Sequence, residues 1–137
     1  PHLPFMIEHL NRLHLADLFL DTLPYNAHTT CSDALRMGLP VLTCLGRSFV
    51  SRVAGSLLSV LNLPELITNT PEEYEALAIE LATNPEKLKA IKDKLKSNLS
   101  SAPLFYTPLF TKNIESAYTQ MYERYHEGLE PDHIYVE

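Results

Sequence analysis

Apolar residues in this chain fall into two alternating patterns: short unbroken runs, and longer stretches in which they recur every three or four positions. Ala16-Asp17-Leu18-Phe19-Leu20-Asp21 is a run ending in a carboxylate, followed by Thr22-Leu23-Pro24-Tyr25-Asn26-Ala27. It predicts a buried strand over 17–21 and its exit loop. Thr30-Cys31-Ser32-Asp33 then places an acid three residues after a hydroxyl, the pattern of a capping box, so a helix is expected over Thr30–Met37, closed by Gly38 and Pro40. Pro40 to Leu45 is a second apolar run. Ser48 to Val60 predicts a helix presenting Phe49, Val53, Leu57 and Val60, and Leu63 to Thr68 is a weaker third strand.

Two further helices carry start signals. Thr70 precedes Pro71 with Glu73 three positions on, ahead of an apolar stripe at Tyr74, Leu77, Ala78, Leu81 and Ala82. Asn84-Pro85 opens the next, with Leu88, Ile91 and Leu95 inward. The lysines Lys87, Lys89, Lys92, Lys94 and Lys96 are interleaved with Glu86 and Asp93, so they read as a solvated face rather than a basic patch. After a Pro- and Ser-containing connection, Ser100 to Pro108, a last helix is expected over Thr111–Tyr125. Its stripe of Ile114, Ala117, Tyr118, Met121 and Tyr125 reads as packing. Single strands alternating with helices predict an α/β fold: a Rossmann-like parallel sheet with helices on both faces and a helical C-terminus.

At 137 residues the chain is long enough for one core, and a net charge of −6 gives no positive field for nucleic acid. Two cysteines without metal spacing, Cys31 and Cys44, suit a reducing compartment, so a cytoplasmic setting is expected. No apolar run reaches the roughly 20 residues of a membrane span, and no membrane partner is expected. The first residue, Pro1, suggests a segment of a longer protein.

In an open parallel sheet ligands bind outside the carboxyl ends of the strands. The junction after Asp21 is such a place. A helix opening near Thr30 offers unpaired N–H groups and a positive dipole end, with His28, Thr29 and Thr30 adding side-chain donors, so the residues mark a possible anion site. Ordinary helix capping accounts for the same residues, and Asp33 equally suits a plain cap. There is no Gly-rich phosphate cradle and no Asp-x-Asp pair, so neither a P-loop nor a metal on the phosphates is expected.

The run Leu18-Phe19-Leu20-Asp21-Thr22-Leu23-Pro24-Tyr25-Asn26-Ala27-His28-Thr29-Thr30, followed by Ser32-Asp33-Ala34-Leu35 and Gly38-Leu39-Pro40-Val41, resembles the C-terminal catalytic lobe of bacterial-type O-linked N-acetylglucosamine transferases. The resemblance continues through Ser51-Arg52-Val53-Ala54, Leu63-Pro64-Glu65-Leu66-Ile67, Glu72-Glu73-Tyr74, Tyr118-Thr119-Gln120-Met121-Tyr122 and Pro131-Asp132-His133. It implies that residues 1–137 are the nucleotide-holding second lobe of a GT-B glycosyltransferase. It further implies an inverting, metal-independent enzyme that moves N-acetylglucosamine from UDP-N-acetylglucosamine to Ser or Thr hydroxyls of proteins, with no cofactor.

By that resemblance His28, Thr29 and Thr30 meet the donor diphosphate, Asp33 the ribose hydroxyls, His9 the uracil face and Arg12 the base edge. Met6 stands where the family often has a ribose-contacting lysine, so no ribose contact is implied there. The first lobe, the candidate base and the tetratricopeptide repeats usual in such parents are not in this sequence. The catalytic groups are therefore expected elsewhere in the parent, the protein acceptor is expected to bind through those regions, and the chain alone is expected to be inactive. Two alternatives are a Spindly-like enzyme using GDP-fucose and a non-catalytic nucleotide-binding or protein-interaction module.

Overall fold

Three short strands, β1 (Phe19–Leu20), β2 (Val41–Cys44) and β3 (Ile67–Thr68), pair in that order, all parallel. The register sets Phe19 beside Val41 and Leu20 beside Leu42, then Thr43 beside Ile67 and Cys44 beside Thr68. The structure is a computed structural model describing residues 5–136. β1 is shorter than the expected 17–21. Asp17 is exposed and accepts from Lys92 Nζ at 2.7 Å, while Asp21 keeps one backbone bond to β2, its N–H donating to Leu42 O at 3.0 Å, and turns its carboxylate to its own loop. Only the last two residues of the Leu63–Thr68 run are strand, because Pro64 sets a 3-10 turn over Pro64–Leu66.

All four residues of β2 are buried, and α2 (Thr29–Arg36), α3 (Val53–Val60) and α4 (Pro71–Thr83) pack against it. A strand buried on both sides of its pleat is covered on both sheet faces, as the strand–helix alternation predicts. Leu35, Leu42, Leu58, Leu61, Leu63, Leu66, Leu81 and Leu95 form the fully buried centre. Each contributes about 1.5–3 kcal/mol by leaving water.

Helix ends explain much of the layout. α2 ends in a Schellman motif: Gly38, at φ +79°, donates to Leu35 O, and Leu39 N donates to Ala34 O at 2.9 Å. At its other end the expected capping box does not form. The helix starts at Thr29, His28 is the N-cap residue, and no side chain caps it. α3 buries Ala54, Gly55 and Leu58, not the expected face, since Phe49 belongs to a separate 3-10 turn (Phe49–Ser51) and is 77% exposed.

The caps of α4 and α5 (Pro85–Leu99) do form: Thr70 Oγ1 accepts from Glu73 N, and Asn84 Oδ1 from Lys87 N at 3.0 Å. Four of the five α5 lysines are engaged with acids, Lys92 with Asp17, Lys94 with Glu65, Lys87 with Glu80 and Lys89 with Asp93. They form the solvated face the interleaving predicts. Near the start of the chain, α1 (Met6–Asn11) leads into a 3-10 turn over Arg12–Leu15, and neither buries a residue.

The chain forms two compact units, Pro1–Ala102 and Pro103–Glu137. The second holds a 3-10 turn and α6 (Thr107–His126). α6 starts before the expected Thr111 because Pro108 sits in its first turn, where no N–H is required. Its stripe does not pack as expected: Tyr118, Met121 and Tyr125 are exposed, and α6 has no buried residue. The tail folds back on it through Arg124, which donates to Glu130 O and pairs with Asp132 at 3.6 Å.

Candidate functional site

Everything the sequence singled out after β1 gathers at the carboxyl edge of the sheet, within the first unit. Asp21, the carboxylate ending the apolar run, is 5% exposed. Its Oδ1 accepts from Thr22 N at 2.8 Å and Ala27 N at 2.7 Å, and its Oδ2 accepts from the Thr43 hydroxyl at 2.6 Å. Tyr74 of α4 donates its hydroxyl to the Asp21 carbonyl at 2.8 Å. One residue therefore ties the exit loop to its own ends, to β2 and to α4. Thr22 Oγ1 donates to Tyr25 O, and Asn26 Nδ2 donates to Thr22 O, which tightens the loop further.

A second loop, after β2, supports the first. Gly46 N donates to Ser51 O at 2.9 Å, and a Cβ on Gly46 would lie 2.3 Å from Ser51 Oγ and 2.6 Å from its Cβ, so only glycine lets the chain pass there. The turn it forms presents Val50 O, which accepts from Asn26 N at 2.9 Å and from His28 Nε2 at 3.3 Å. A carbonyl only accepts, so His28 carries a proton on Nε2. Its ring stacks on Tyr25 with centroids 5.0 Å apart and meets Phe49 edge-on at 5.9 Å. His28 is thus held on three sides at the entry to α2.

Thr29 and Thr30, the first two helical residues, are both exposed, and the first-turn N–H groups of an α-helix have no intrahelical partner. The next residue, Cys31, is fully buried, and burial, followed by the charge of Asp21, pushes its thiol from the ordinary 9.0 up to about 12. The Tyr74 hydroxyl is also raised, by burial first and then by Asp21. Asp33, one turn into α2, approaches His9 of α1, with His9 Nε2 4.0 Å from Asp33 Oδ2 and both side chains about a quarter exposed (28% and 25%). Arg12 is exposed on the 3-10 turn that follows, and Met6 is 69% exposed.

The structure therefore brings His28, Thr29, Thr30, Asp33 and His9 onto one helix entry, with Arg12 one turn beyond His9. Sequence reasoning missed Asp21, Asn26, Thr43 and Tyr74 as parts of this site. A carboxylate closing an apolar run was the available signal for the first. Among the described residues no three His, Cys, Asp or Glu side chains cluster as a metal ion needs, and no helix is long and apolar enough to cross a membrane. A groove of about 680 Å³ lies apart from these residues, between β1 and the α4–α5 pair, lined by Leu18, Leu20, Leu81 and Leu88.

A three-stranded parallel sheet packed against helices, with a fixed loop and a helix N-terminus at its carboxyl edge, defines an α/β module. The chain belongs to glycosyl transferase family 41, whose family model matches residues 5–114. It is 40% identical over 130 residues to a probable UDP-N-acetylglucosamine–peptide N-acetylglucosaminyltransferase, SEC, of Arabidopsis thaliana, covering 94% of this chain and 13% of that protein. A UDP-N-acetylglucosamine–peptide N-acetylglucosaminyltransferase of Caenorhabditis elegans is 39% identical, covering 93% and 11%. Among solved structures, a mutant of the Thermobaculum terrenum O-GlcNAc transferase aligns with TM-score 0.79 and 35% identity, covering 87% of this chain and 23% of that one. The chain thus spans about an eighth of the length of these curated relatives.

Proposed function

We propose that this chain is the donor-nucleotide-binding part, the C-terminal lobe, of a GT-B enzyme that transfers N-acetylglucosamine from UDP-N-acetylglucosamine to Ser or Thr hydroxyls of proteins. The observation that carries the reading is spatial order. His28, Thr29 and Thr30 stand at the helix entry, Asp33 one turn on, and His9 within 4.0 Å of Asp33, with Arg12 beyond it. Diphosphate, ribose and base follow one another in the same order along UDP. The activities for which the Arabidopsis and Caenorhabditis relatives are named support the same donor.

In this reading the helix N-terminus, the two hydroxyls and His28 act on negative charge that builds on the departing diphosphate, which is electrostatic stabilisation of a leaving group without a metal. Asp33 accepts from ribose hydroxyls, His9 covers the uracil face and Arg12 donates to its edge. The acceptor site and the base lie in other parts of a longer protein, and inversion at the sugar carbon follows from a single displacement there.

Titration of the chain with UDP, GDP and UDP-N-acetylglucosamine by NMR or calorimetry tests this. UDP is expected to bind with micromolar to millimolar affinity, about 4–8 kcal/mol, and ahead of GDP. Preference for GDP would move the donor to a guanosine sugar, and binding of none of the three would sink the reading.

A further inference from the structure

We infer that Asp21 is a positioning residue for the diphosphate end of this site: its buried carboxylate fixes the loop that delivers His28, Thr29 and Thr30, and it never touches the ligand. The inference rests on the nucleotide reading above and adds a residue to it. Direct contact is excluded on two grounds. Asp21 is 5% exposed, and both carboxylate oxygens are already taken by Thr22 N, Ala27 N and the Thr43 hydroxyl. A carboxylate also repels a diphosphate, so its use here must lie in what it holds.

What it holds is specific. Oδ1 closes the loop on Ala27 N, the residue before His28, at 2.7 Å. Oδ2 fixes the carboxylate to β2 through Thr43, whose carbonyl accepts in turn from Thr68 Oγ1 of β3 at 3.0 Å. The Asp21 carbonyl is tied to α4 by Tyr74 at 2.8 Å. The position of the helix entry is thereby referred to two neighbouring strands and a helix 53 residues away in sequence. An asparagine reproduces this only in part. With its single oxygen on the two backbone N–H groups, its NH₂ must donate to Thr43 Oγ1, which reverses that bond, leaves the Thr43 hydroxyl proton without its acceptor and removes the charge that strengthens all three bonds.

The test compares wild type, Asp21→Asn and Thr43→Val, which removes only the Oδ2 partner, in UDP and uridine titrations followed by NMR, with hydrogen exchange at Ala27 N. Asp21→Asn should weaken UDP by about tenfold and Thr43→Val by about threefold, with uridine unchanged within about twofold. Exchange at Ala27 should rise about tenfold while Leu35 and Leu58 keep their protection. A general loss of fold would move both ligands and all three amides, and so would overturn the positioning role. Wild-type UDP binding that Asp21→Asn leaves intact overturns this inference alone. A wild type that binds neither UDP nor uridine overturns the nucleotide reading and this inference with it.

Discussion

The two ends of the proposed site are built differently. At the diphosphate end the loop 21–28 contains two buried polar residues, Asp21 and Asn26, and is held from β2, α4 and the turn before α3. At the base end α1 and the turn after it bury nothing, and the contact to the rest of the site is His9 to Asp33 at 4.0 Å. The difference separates preorganisation from composition. A fixed set of donors acts on charge without reorganising, whereas loosely held side chains must order when the base arrives, at about 0.5–1.5 kcal/mol for each immobilised side chain.

The largest effect that would sharpen this comparison falls on the fixed end. Thr29→Ala and Thr30→Ala should each weaken UDP by about 1–2 kcal/mol and leave uridine alone, the size of a lost hydroxyl partner to a charged group. Since no side chain caps α2, neither change should move thermal stability by more than about 0.5 kcal/mol. Calorimetric affinities read beside melting curves check both, and an equal loss for uridine would erase the distinction between the ends.

A smaller effect is expected at the open end. His9→Ala and Arg12→Ala should weaken uridine and UDP alike, by about 1 kcal/mol, because stacking and edge hydrogen bonds do not need phosphates. Uridine titrations indifferent to both substitutions would remove these residues from base recognition and with them the reason to prefer UDP over GDP.

Smallest, and opposite in sign, is Met6→Lys. Met6 is 69% exposed on α1, so a lysine fits without strain. It should tighten UDP and uridine by about 0.5 kcal/mol, the scale of one solvent-screened hydrogen bond. No gain, measured by the same titration, would show that α1 is too loosely held for the added ammonium to reach ribose.

The same contrast governs what the sequence made legible. The caps of α4 and α5 were readable because donor and acceptor lie three residues apart, Thr70 with Glu73 and Asn84 with Lys87. The parallel direction of the strands followed from strand–helix alternation. The clamp on Asp21 was not readable from local pattern, since its partners Thr43 and Tyr74 lie 22 and 53 residues away. Thr30 and Asp33 looked like a capping box by spacing, yet Asp33 turns toward His9 and the helix opens one residue earlier. The buried face of α3 was misread for a similar reason: Phe49 is drawn to the ring of His28 rather than to the core. The candidate residues at the helix entry came from a match of motif, which carries chemistry without the contacts that arrange it.

Cys31 follows Thr30 directly, is fully buried, and has a thiol pushed up to about 12. At mildly alkaline pH it is therefore invisible to alkylating reagents while α2 is closed, and it becomes reactive when the first turn opens. The rate at which a small maleimide consumes Cys31, read apart from the other buried thiol, Cys44, would therefore time any opening of the turn a diphosphate would occupy.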